Sequence, residues 1–134
     1  NNNREDIIRA FLEGVAFNTR WLVEPVERFI GRPLQSINLA GGGGNSDVWC
    51  QIFADILNIP IRQVMDPIQA NARGAALIAA AGLGEIRFDD VPQLVKIRKT
   101  YEPQAQNRAL YDRLYAEFVT IYRQMRGTYH RLNR

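Results

Sequence analysis

Apolar side chains recur along one broad helical face in the first thirty residues. Their spacing between residues 4 and 30 predicts one long amphipathic helix. Asn2 or Asn3 can cap its start, Gly31 ends it, and Pro25, which lacks an amide proton, predicts a kink or break. The apolar positions of this face are Ile8, Phe11, Leu12, Val15, Leu22, Val26 and Phe29.

The spacing of the apolar residues then changes twice along the chain. Residues 36–39 form a short β-type run, and residues 48–57 return to apolar spacings of three and four, which predicts a strand followed by a helix. That helix should end at position 57 or 58, because Pro60 disfavours helical geometry in the residue before it. Residues 61–64 predict a second strand.

A third helix is predicted after the second strand. The run Asp66-Pro67-Ile68-Gln69 has the form of a helix start, with Asp66 as cap and Gln69 able to reach back. The helix that follows is rich in alanine and glycine up to Gly82 and Gly84. Such small side chains predict that it packs tightly against a sheet or another helix.

The C-terminal third is less regular until its last helix. Residues 96–101 could be extended, and Pro103 then opens a helix over about 104–132. Aromatic residues at spacings of four and three predict that this helix packs along another element, with hydroxyls at the wet edge. Stacking on a ligand is the alternative. The stripe is Tyr111, Tyr115, Phe118, Tyr122, Met125 and Tyr129.

Helices and strands alternate, which predicts an α/β fold with a small parallel sheet. Two strands are too few, because a parallel sheet normally has more strands and helices on both faces. Either further strands lie within residues 85–100, or the chain is a piece of a larger domain whose other strands come from elsewhere.

Composition narrows the class of protein. The 134 residues are 46% hydrophobic and 23% charged, as in ordinary soluble proteins. No apolar run approaches the ~20 residues that span a bilayer, and no signal peptide opens the chain. We therefore expect a cytoplasmic protein with no membrane partner. The one cysteine, Cys50, cannot form an internal disulfide.

Positive charge is concentrated in the tail. Residues 94–134 hold nine Lys or Arg against three acidic residues, giving +6, so the first 93 residues carry −3 of the net +3. The arginines are scattered among helical positions rather than clustered in one run. We therefore interpret them as a solvated surface and predict no nucleic-acid binding.

Four glycines, Gly41 to Gly44, stand between the first strand and the second helix. Without Cβ atoms, a ligand can lie against the main chain and face the amides that enter the helix. Asn45-Ser46 replaces the Lys-Ser/Thr pair of a P-loop, and the glycine at the sixth place of a dinucleotide fingerprint is missing. The turn is therefore suited to a base or ribose rather than to phosphate; a tight turn with a polar cap is the alternative.

Other reactive residues suggest little chemistry. Cys50 is interpreted as a buried packing residue rather than a nucleophile, and the only histidine, His130, as solvated. The pair Asp89-Asp90 could bind a metal but is more typical of a hydrated loop. Three further polar residues either support a ligand or are simply solvated, and no catalytic constellation is predicted. They are Gln51, Asp55 and Arg73.

Two segments of the sequence resemble a known protein family. The segments 39–57 and 71–84, the latter beginning Asn-Ala-Arg-Gly-Ala-Ala, resemble the C-terminal domain of the FGGY carbohydrate kinases, in particular the xylulokinase-like pentulose kinases. Residues 9–17 look like the helix that this family places before its adenosine-binding turn. The tail from Tyr101-Glu-Pro103 looks like a pentulose-kinase terminus.

The resemblance implies an ATP- and Mg²⁺-dependent kinase that phosphorylates a sugar hydroxyl, built from two actin-like, ribonuclease H-like domains around a cleft. The sugar would be a pentulose such as xylulose, or else ribulose, fuculose, gluconate or glycerol. By position, Gly41, Gly42 and Gly43 would approach the nucleotide through their main chain. Asn45 and Ser46 would lie beside the adenine or ribose.

Much of such a kinase is absent from this sequence. Nothing in it resembles the Asp-x-Gly-Thr phosphate loop, the sugar-binding residues, the general base or the second phosphate loop. We therefore expect residues 1–134 to be a single fragment that lacks the first strands of its domain, holds no catalytic residue and is inactive without the N-terminal domain. A self-associating, homo-oligomeric module and a nucleic-acid-binding tail remain alternative hypotheses.

Overall fold

The computed structural model describes residues 3–133, and helices and strands alternate along most of them. Short 3-10 turns at Gly42–Asn45 and Pro67–Gln69 precede two of the helices. The helices are α1 (Arg4–Ile30), α2 (Asp47–Leu57), α3 (Ala70–Gly82), α4 (Val91–Leu94) and α5 (Arg108–Leu132), and the strands are β1 (Ile37–Leu39), β2 (Ile61–Val64) and β3 (Ile97–Tyr101).

The three strands form one mixed sheet in the order β1-β2-β3. The predicted parallel pair is confirmed, with Ile37 opposite Ile61. The stretch predicted to be extended near residue 100 supplies β3, which pairs antiparallel to β2 with Tyr101 opposite Ile61. The fold is thus a helix-rich α/β arrangement, as predicted, and its sheet is enlarged by one reversed strand.

The ends of α1 follow from local chemistry. The Asn3 side chain accepts a hydrogen bond from the Asp6 amide, and the Asp6 carboxylate accepts one from the Asn3 amide, which forms a capping box. Asn3 is therefore the cap; the alternative cap, Asn2, lies outside the described residues. Gly31 ends the helix in the left-handed region, at φ +71°, which glycine adopts without steric cost.

The break allowed for at Pro25 does not occur, because α1 is continuous through that residue. Contacts on both sides hold the helix together. Before the proline, the Trp21 ring packs edge-on against Tyr122. After it, the Glu27 carboxylate accepts a hydrogen bond from the Leu34 amide.

The core is built around α2, in which seven of eleven residues are buried. Phe17 of α1 reaches the aromatic stripe of α5, with its ring centroid 6.1 Å from that of Tyr111 and 5.7 Å from that of Phe118. The stripe therefore packs along another helix, as predicted. The hydroxyl of Tyr111 accepts a hydrogen bond from Arg9 and donates one to Glu13.

One sequence expectation about packing is wrong within residues 3–133. Helix α3, expected to pack tightly, has no buried residue, and Ile78 is 64% exposed. The apolar face that predicted α1 is also largely solvent-facing: Phe11 is 74% and Phe29 91% exposed, whereas Ala16 and Phe17 on another side are buried. Helical spacing identified the helices correctly, but it does not say which face finds a partner.

None of the helices formed by residues 3–133 combines the length and the apolar character needed to cross a membrane.

Candidate functional site

The segment Gly41–Ser46, called here the glycine turn, joins β1 to α2. Gly41 has φ +79° and ψ −172°, a combination open essentially to glycine alone. Its amide donates to the Pro67 carbonyl oxygen at 2.7 Å, and the next residues form a 3-10 turn closed by the bond from the Gly44 amide to the Gly41 carbonyl. The predicted strand, glycine turn and helix are confirmed.

The middle glycines lie in different surroundings. A Cβ atom on Gly44 would be 2.8 Å from Pro67 Cβ and 3.0 Å from the Leu39 carbonyl oxygen, and one on Gly43 would be 2.7 Å from the Trp49 ring. A Cβ on Gly42 would meet nothing within 4 Å. Two of these residues are thus packed from the protein side, while Gly42 leaves its main chain open to a ligand.

Ser46 caps α2. Its hydroxyl oxygen accepts from the Trp49 amide at 3.2 Å, which satisfies one of the free donors at a helix start. The Trp49 indole donates in turn to the Leu12 carbonyl oxygen at 3.1 Å, so the ring behind Gly43 is held by α1. Asn45, beside the cap, is exposed.

An open cleft of about 290 Å³ lies beside the glycine turn. Asn45 lines it together with Asp66, Pro67, Ile68 and Gln69. The cleft follows the carboxyl ends of two neighbouring parallel strands, β1 and β2, where open α/β sheets bind their ligands. It brings Asn45 together with a segment that the sequence had not indicated as part of a site.

A helical turn begins after Asp66 with Pro67 in its first position, as expected, but the expected cap by Asp66 is wrong. Asp66 adopts the left-handed conformation, with φ +47°, and its side chain caps nothing; a 3-10 turn over Pro67–Gln69 intervenes before α3. The local Asp-Pro-x-Gln pattern resembles a helix cap, so the sequence did not indicate that Asp66 lines the cleft. The signal that could have found it was its place directly after the strand parallel to β1.

Arg73 supports the cleft from α3. Its guanidinium donates to the carbonyl oxygen of Met65 at 2.8 Å and lies 3.4 Å from that of Asp66. Of the two interpretations that the sequence left open, support for a candidate site fits these contacts, because they hold the backbone that carries Asp66.

A buried polar group lies beneath the glycine turn. Gln63 of β2 is fully buried and donates to the Gly44 carbonyl oxygen at 2.7 Å and to Asp47 Oδ1 at 3.1 Å. Tyr101 donates to Gln63 Oε1 at 3.3 Å. The hydrogen bond from Gln63 lowers the pKa of Asp47, while burial and the neighbouring Asp47 raise the pKa of Tyr101 to about 12. Gln63 was missed because β2 was read only for its apolar positions.

None of the remaining candidates lines the cleft beside the glycine turn. Cys50 is buried with its Sγ 3.9 Å from the Gly44 carbonyl oxygen, and burial raises its thiol pKa, which agrees with a packing residue. His130 is exposed, as expected. Asp90 accepts from the Arg87 amide. Across the described residues 3–133, no three His, Cys, Asp or Glu side chains are grouped to hold a metal ion.

Asp55 is neither a ligand-supporting residue nor a solvated one. It is buried and accepts hydrogen bonds from Gln51 Nε2, the Gln104 amide and Asn107 Nδ2, at 2.8 to 2.9 Å. These contacts tie α2 to the turn that precedes α5.

Comparisons with known proteins agree on one family. Residues 1–83, which contain the glycine turn and α3, match the family described as "FGGY family of carbohydrate kinases, C-terminal domain". The chain is 31% identical to the xylulose kinase of Staphylococcus epidermidis, over 92% of this chain and 25% of that protein. It is 36% identical to the ribulokinase of Bacillus licheniformis, over 88% of this chain and 22% of that protein.

A solved structure gives the same result. The crystal structure of xylulose kinase from Rhodospirillum rubrum superposes with a TM-score of 0.78 at 35% identity, over 96% of this chain and 26% of that one. The described helices and mixed sheet thus have the architecture of FGGY kinases, which share the actin-like ATPase fold. The chain spans about a quarter of the length of the relatives it matches.

Proposed function

This chain belongs to the FGGY family of carbohydrate kinases, and from that membership we propose that it forms the adenosine-binding wall of an ATP-dependent sugar kinase. Residues 1–134 would be one unit, the C-terminal nucleotide-binding portion of a longer enzyme. One observation carries the proposal. The glycine turn and the segment across the cleft lie side by side at the carboxyl ends of parallel strands, within the region matched by the family.

The glycine turn would bind the nucleoside through shape and hydrogen bonds. Gly41, Gly42 and Gly43 would approach the base or ribose through their main chain, and the open space above Gly42 supports this. Asn45 and Ser46 would lie beside the adenine or ribose. The turn contains no lysine, so we assign the triphosphate to groups elsewhere in the enzyme.

The segment Asp66–Gln69 would form the other side of the nucleoside site. Asp66 has a carboxylate, which can accept from ribose hydroxyls, and Gln69 has both donor and acceptor atoms on its amide. Both line the cleft shared with Asn45. Arg73 would act through the Met65 and Asp66 carbonyls that it holds.

Phosphoryl transfer also needs groups outside this segment. Kinases hold Mg²⁺ against the phosphates and orient the attacking hydroxyl with an acid or base residue. The described residues group no three potential metal-ligating side chains, so we assign the Mg²⁺ ligands to the N-terminal domain and the nucleotide phosphates. We also assign the catalytic base to the N-terminal domain. By this proposal the chain alone is inactive, and the whole enzyme acts in the cytoplasm, where its ATP is found.

For the sugar, we propose a pentulose, with xylulose first. The names of relatives support a ketopentose, since a xylulose kinase and a ribulokinase are among them. Ribulose, fuculose, gluconate and glycerol are the alternatives, because the residues that select the sugar lie outside this chain.

The test is ATP consumption by the longer protein with a panel of these five acceptors. We expect ADP release that depends on the added sugar and is fastest with xylulose. Release that is equally fast without sugar, or that none of the five acceptors stimulates, would contradict the proposal. A fastest rate with another acceptor would overturn only the choice of sugar.

A second candidate belongs to a different class. The exposed apolar faces of α1 and α3 are also what a non-catalytic module would use to bind a copy of itself. We favour the rest of the same protein as the partner, since relatives are about four times longer than this chain.

A further inference from the structure

Gln63 is a polar side chain in an otherwise apolar position. It is the third residue of β2, between Ile61 and Val64 on the buried part of the strand, and no part of it reaches solvent. A buried amide is stabilising only if its hydrogen bonds are made. An apolar residue of similar size would fill the same volume without that requirement. The presence of an amide therefore indicates that its hydrogen bonds have a role.

The hydrogen-bonding pattern around Gln63 fits a neutral amide and no other side chain. Its two N–H groups face two acceptors, the Gly44 carbonyl oxygen at 2.7 Å and Asp47 Oδ1 at 3.1 Å. Its oxygen faces a donor, the Tyr101 hydroxyl, at 3.3 Å. A glutamate here would set its carboxyl group against two acceptors, to which it could donate one hydrogen bond at most, and then only when protonated.

These hydrogen bonds hold the glycine turn at Gly44 and the helix that follows it at Asp47. The turn is held at Gly41, whose amide donates to the Pro67 carbonyl, and at Gly44, whose carbonyl accepts from Gln63. Gly42 and Gly43 span the distance between these two anchors. The second anchor also holds Asp47, the first residue of α2, so one amide contacts both the turn and the start of the helix that Ser46 caps.

We propose that Gln63 is a positioning residue that holds the glycine turn in the conformation that receives the nucleotide. It touches no ligand and acts through the Gly44 carbonyl and Asp47. The inference rests on the proposed function for its effect on ATP, but its effect on the turn can be measured separately.

The test compares Gln63→Glu with a matched control, Gln51→Glu. Gln51 also donates through its Nε2 to a carboxylate, Asp55, and to a backbone carbonyl, that of Glu102. The control therefore makes the same chemical change at the junction of α2 with the α5 segment instead of beneath the turn. The first readout is the amide chemical shifts of Gly41–Ser46 in the ¹⁵N-labelled 134-residue chain. The second is the KM for ATP of the longer protein.

We expect Gln63→Glu to shift the turn amides and to raise the KM for ATP about tenfold, the effect of losing roughly one charge-assisted hydrogen bond. Gln51→Glu should move amides near residues 55 and 104 and leave both readouts unchanged. Turn amides that do not respond to Gln63→Glu, or that respond equally to Gln51→Glu, would overturn the proposal.

Two further variants, Gln63→Met and Tyr101→Phe, test the proposal even if Gln63→Glu does not fold. Methionine is neutral and of similar length but has no donor, so it should shift the turn amides in the same way as glutamate. Tyr101→Phe keeps both amide donors of Gln63 and should leave the turn amides near their original positions. The opposite order of effects would overturn the proposal. If the longer protein consumes no ATP with any sugar, the proposed function fails, while the turn amides still decide the role of Gln63.

Discussion

Gly42 and Gly44 lie two positions apart in the glycine turn but in opposite surroundings. The α-carbon of Gly42 faces open space, whereas that of Gly44 faces Pro67 and the Leu39 carbonyl. Neither has positive φ, so an alanine at either position tests the space around it rather than the backbone conformation. The two substitutions therefore separate ligand approach from packing.

Gly42→Ala should weaken ATP binding without weakening the fold. The added methyl meets no protein atom within 4 Å but occupies the space proposed for the base or ribose. We expect the KM for ATP of the longer protein to rise about tenfold, equivalent to about 1.4 kcal/mol. Gly14→Ala, also in open space but on α1, is the control and should leave KM unchanged. An unchanged KM in Gly42→Ala would place the nucleotide elsewhere.

Gly44→Ala should instead destabilise the chain. Its methyl would be 2.8 Å from Pro67 Cβ and 3.0 Å from a backbone oxygen, and overpacking of this kind typically costs about 1–3 kcal/mol. Urea unfolding of the 134-residue chain measures this loss, with Gly42→Ala as the matched variant. Equal stability of the two variants would contradict the packing described for the turn.

Single residues were predicted well where their role is local. Cys50 was correctly interpreted as a packing residue because an apolar helix position and the lack of a nearby histidine are visible in the sequence. Asp66 was not, since its local pattern matches a helix cap and only its neighbours in space give it another place. The roles of Gln63 and Asp55 escaped prediction for the same reason: apart from Gln51, their partners lie 16 to 52 positions away.

Among the elements, the start of α5 depends on one carboxylate of α2. Asp55 is buried and accepts three hydrogen bonds, two of them from the turn that precedes α5. Asp55→Ala should lower the free energy of unfolding by about 2–4 kcal/mol, because it removes the buried acceptor of three hydrogen bonds. Glu24→Ala, which removes only an exposed ion pair with Arg28, should cost less than about 0.5 kcal/mol. Comparable losses in the two variants would contradict the anchoring role of Asp55.

The packing of α1 on α5 should weaken in acid. Burial by itself would raise the pKa of Asp112, but hydrogen bonds from Arg20 and Arg108 outweigh it and lower the pKa below 3.8. A carboxyl whose folded-state pKa is depressed stabilises the fold above its unfolded-state pKa, and this contribution is lost as the pH falls through the folded-state value.

Asp112→Asn measures this contribution directly. Asp112 is partly exposed, so we expect the variant to lose less than about 1 kcal/mol at pH 7. The difference from the unmodified chain should shrink between pH 4 and pH 2. Urea unfolding at several pH values provides the comparison, and a difference that stays constant with pH would contradict the assignment.

Elements were predicted from periodicity, and their bounds agree closely for β2 and α2. What periodicity cannot supply is the partner of each face. The small side chains of α3 predicted close packing, but they meet no other helix or strand closely enough for burial within residues 3–133. The direction of β3 also depends on how the chain returns to the sheet, which no local pattern encodes.

At the scale of the whole molecule, α1 presents two different apolar faces. One packs on α2 and α5 through Ala16 and Phe17. The other is exposed and repeats every seven residues through Ile8, Val15, Leu22 and Phe29, with Phe11 beside them. A continuous exposed apolar stripe of this length is unusual for a free surface. We propose that it packs against the part of the enzyme that lies outside this chain.

The double variant Phe11→Glu/Leu22→Glu distinguishes the possible partners of this stripe. Both side chains are mostly exposed, so the 134-residue chain should keep its free energy of unfolding within about 0.5 kcal/mol. If the rest of the enzyme covers the stripe, the longer protein should lose stability in the variant because two charges would be buried there. If a second copy covers it, sedimentation velocity should instead show a dimer of the longer protein that becomes a stable monomer in the variant. Phe17→Ala, in the buried face, should cost about 3–5 kcal/mol in both forms, so a loss confined to the longer protein belongs to the stripe alone.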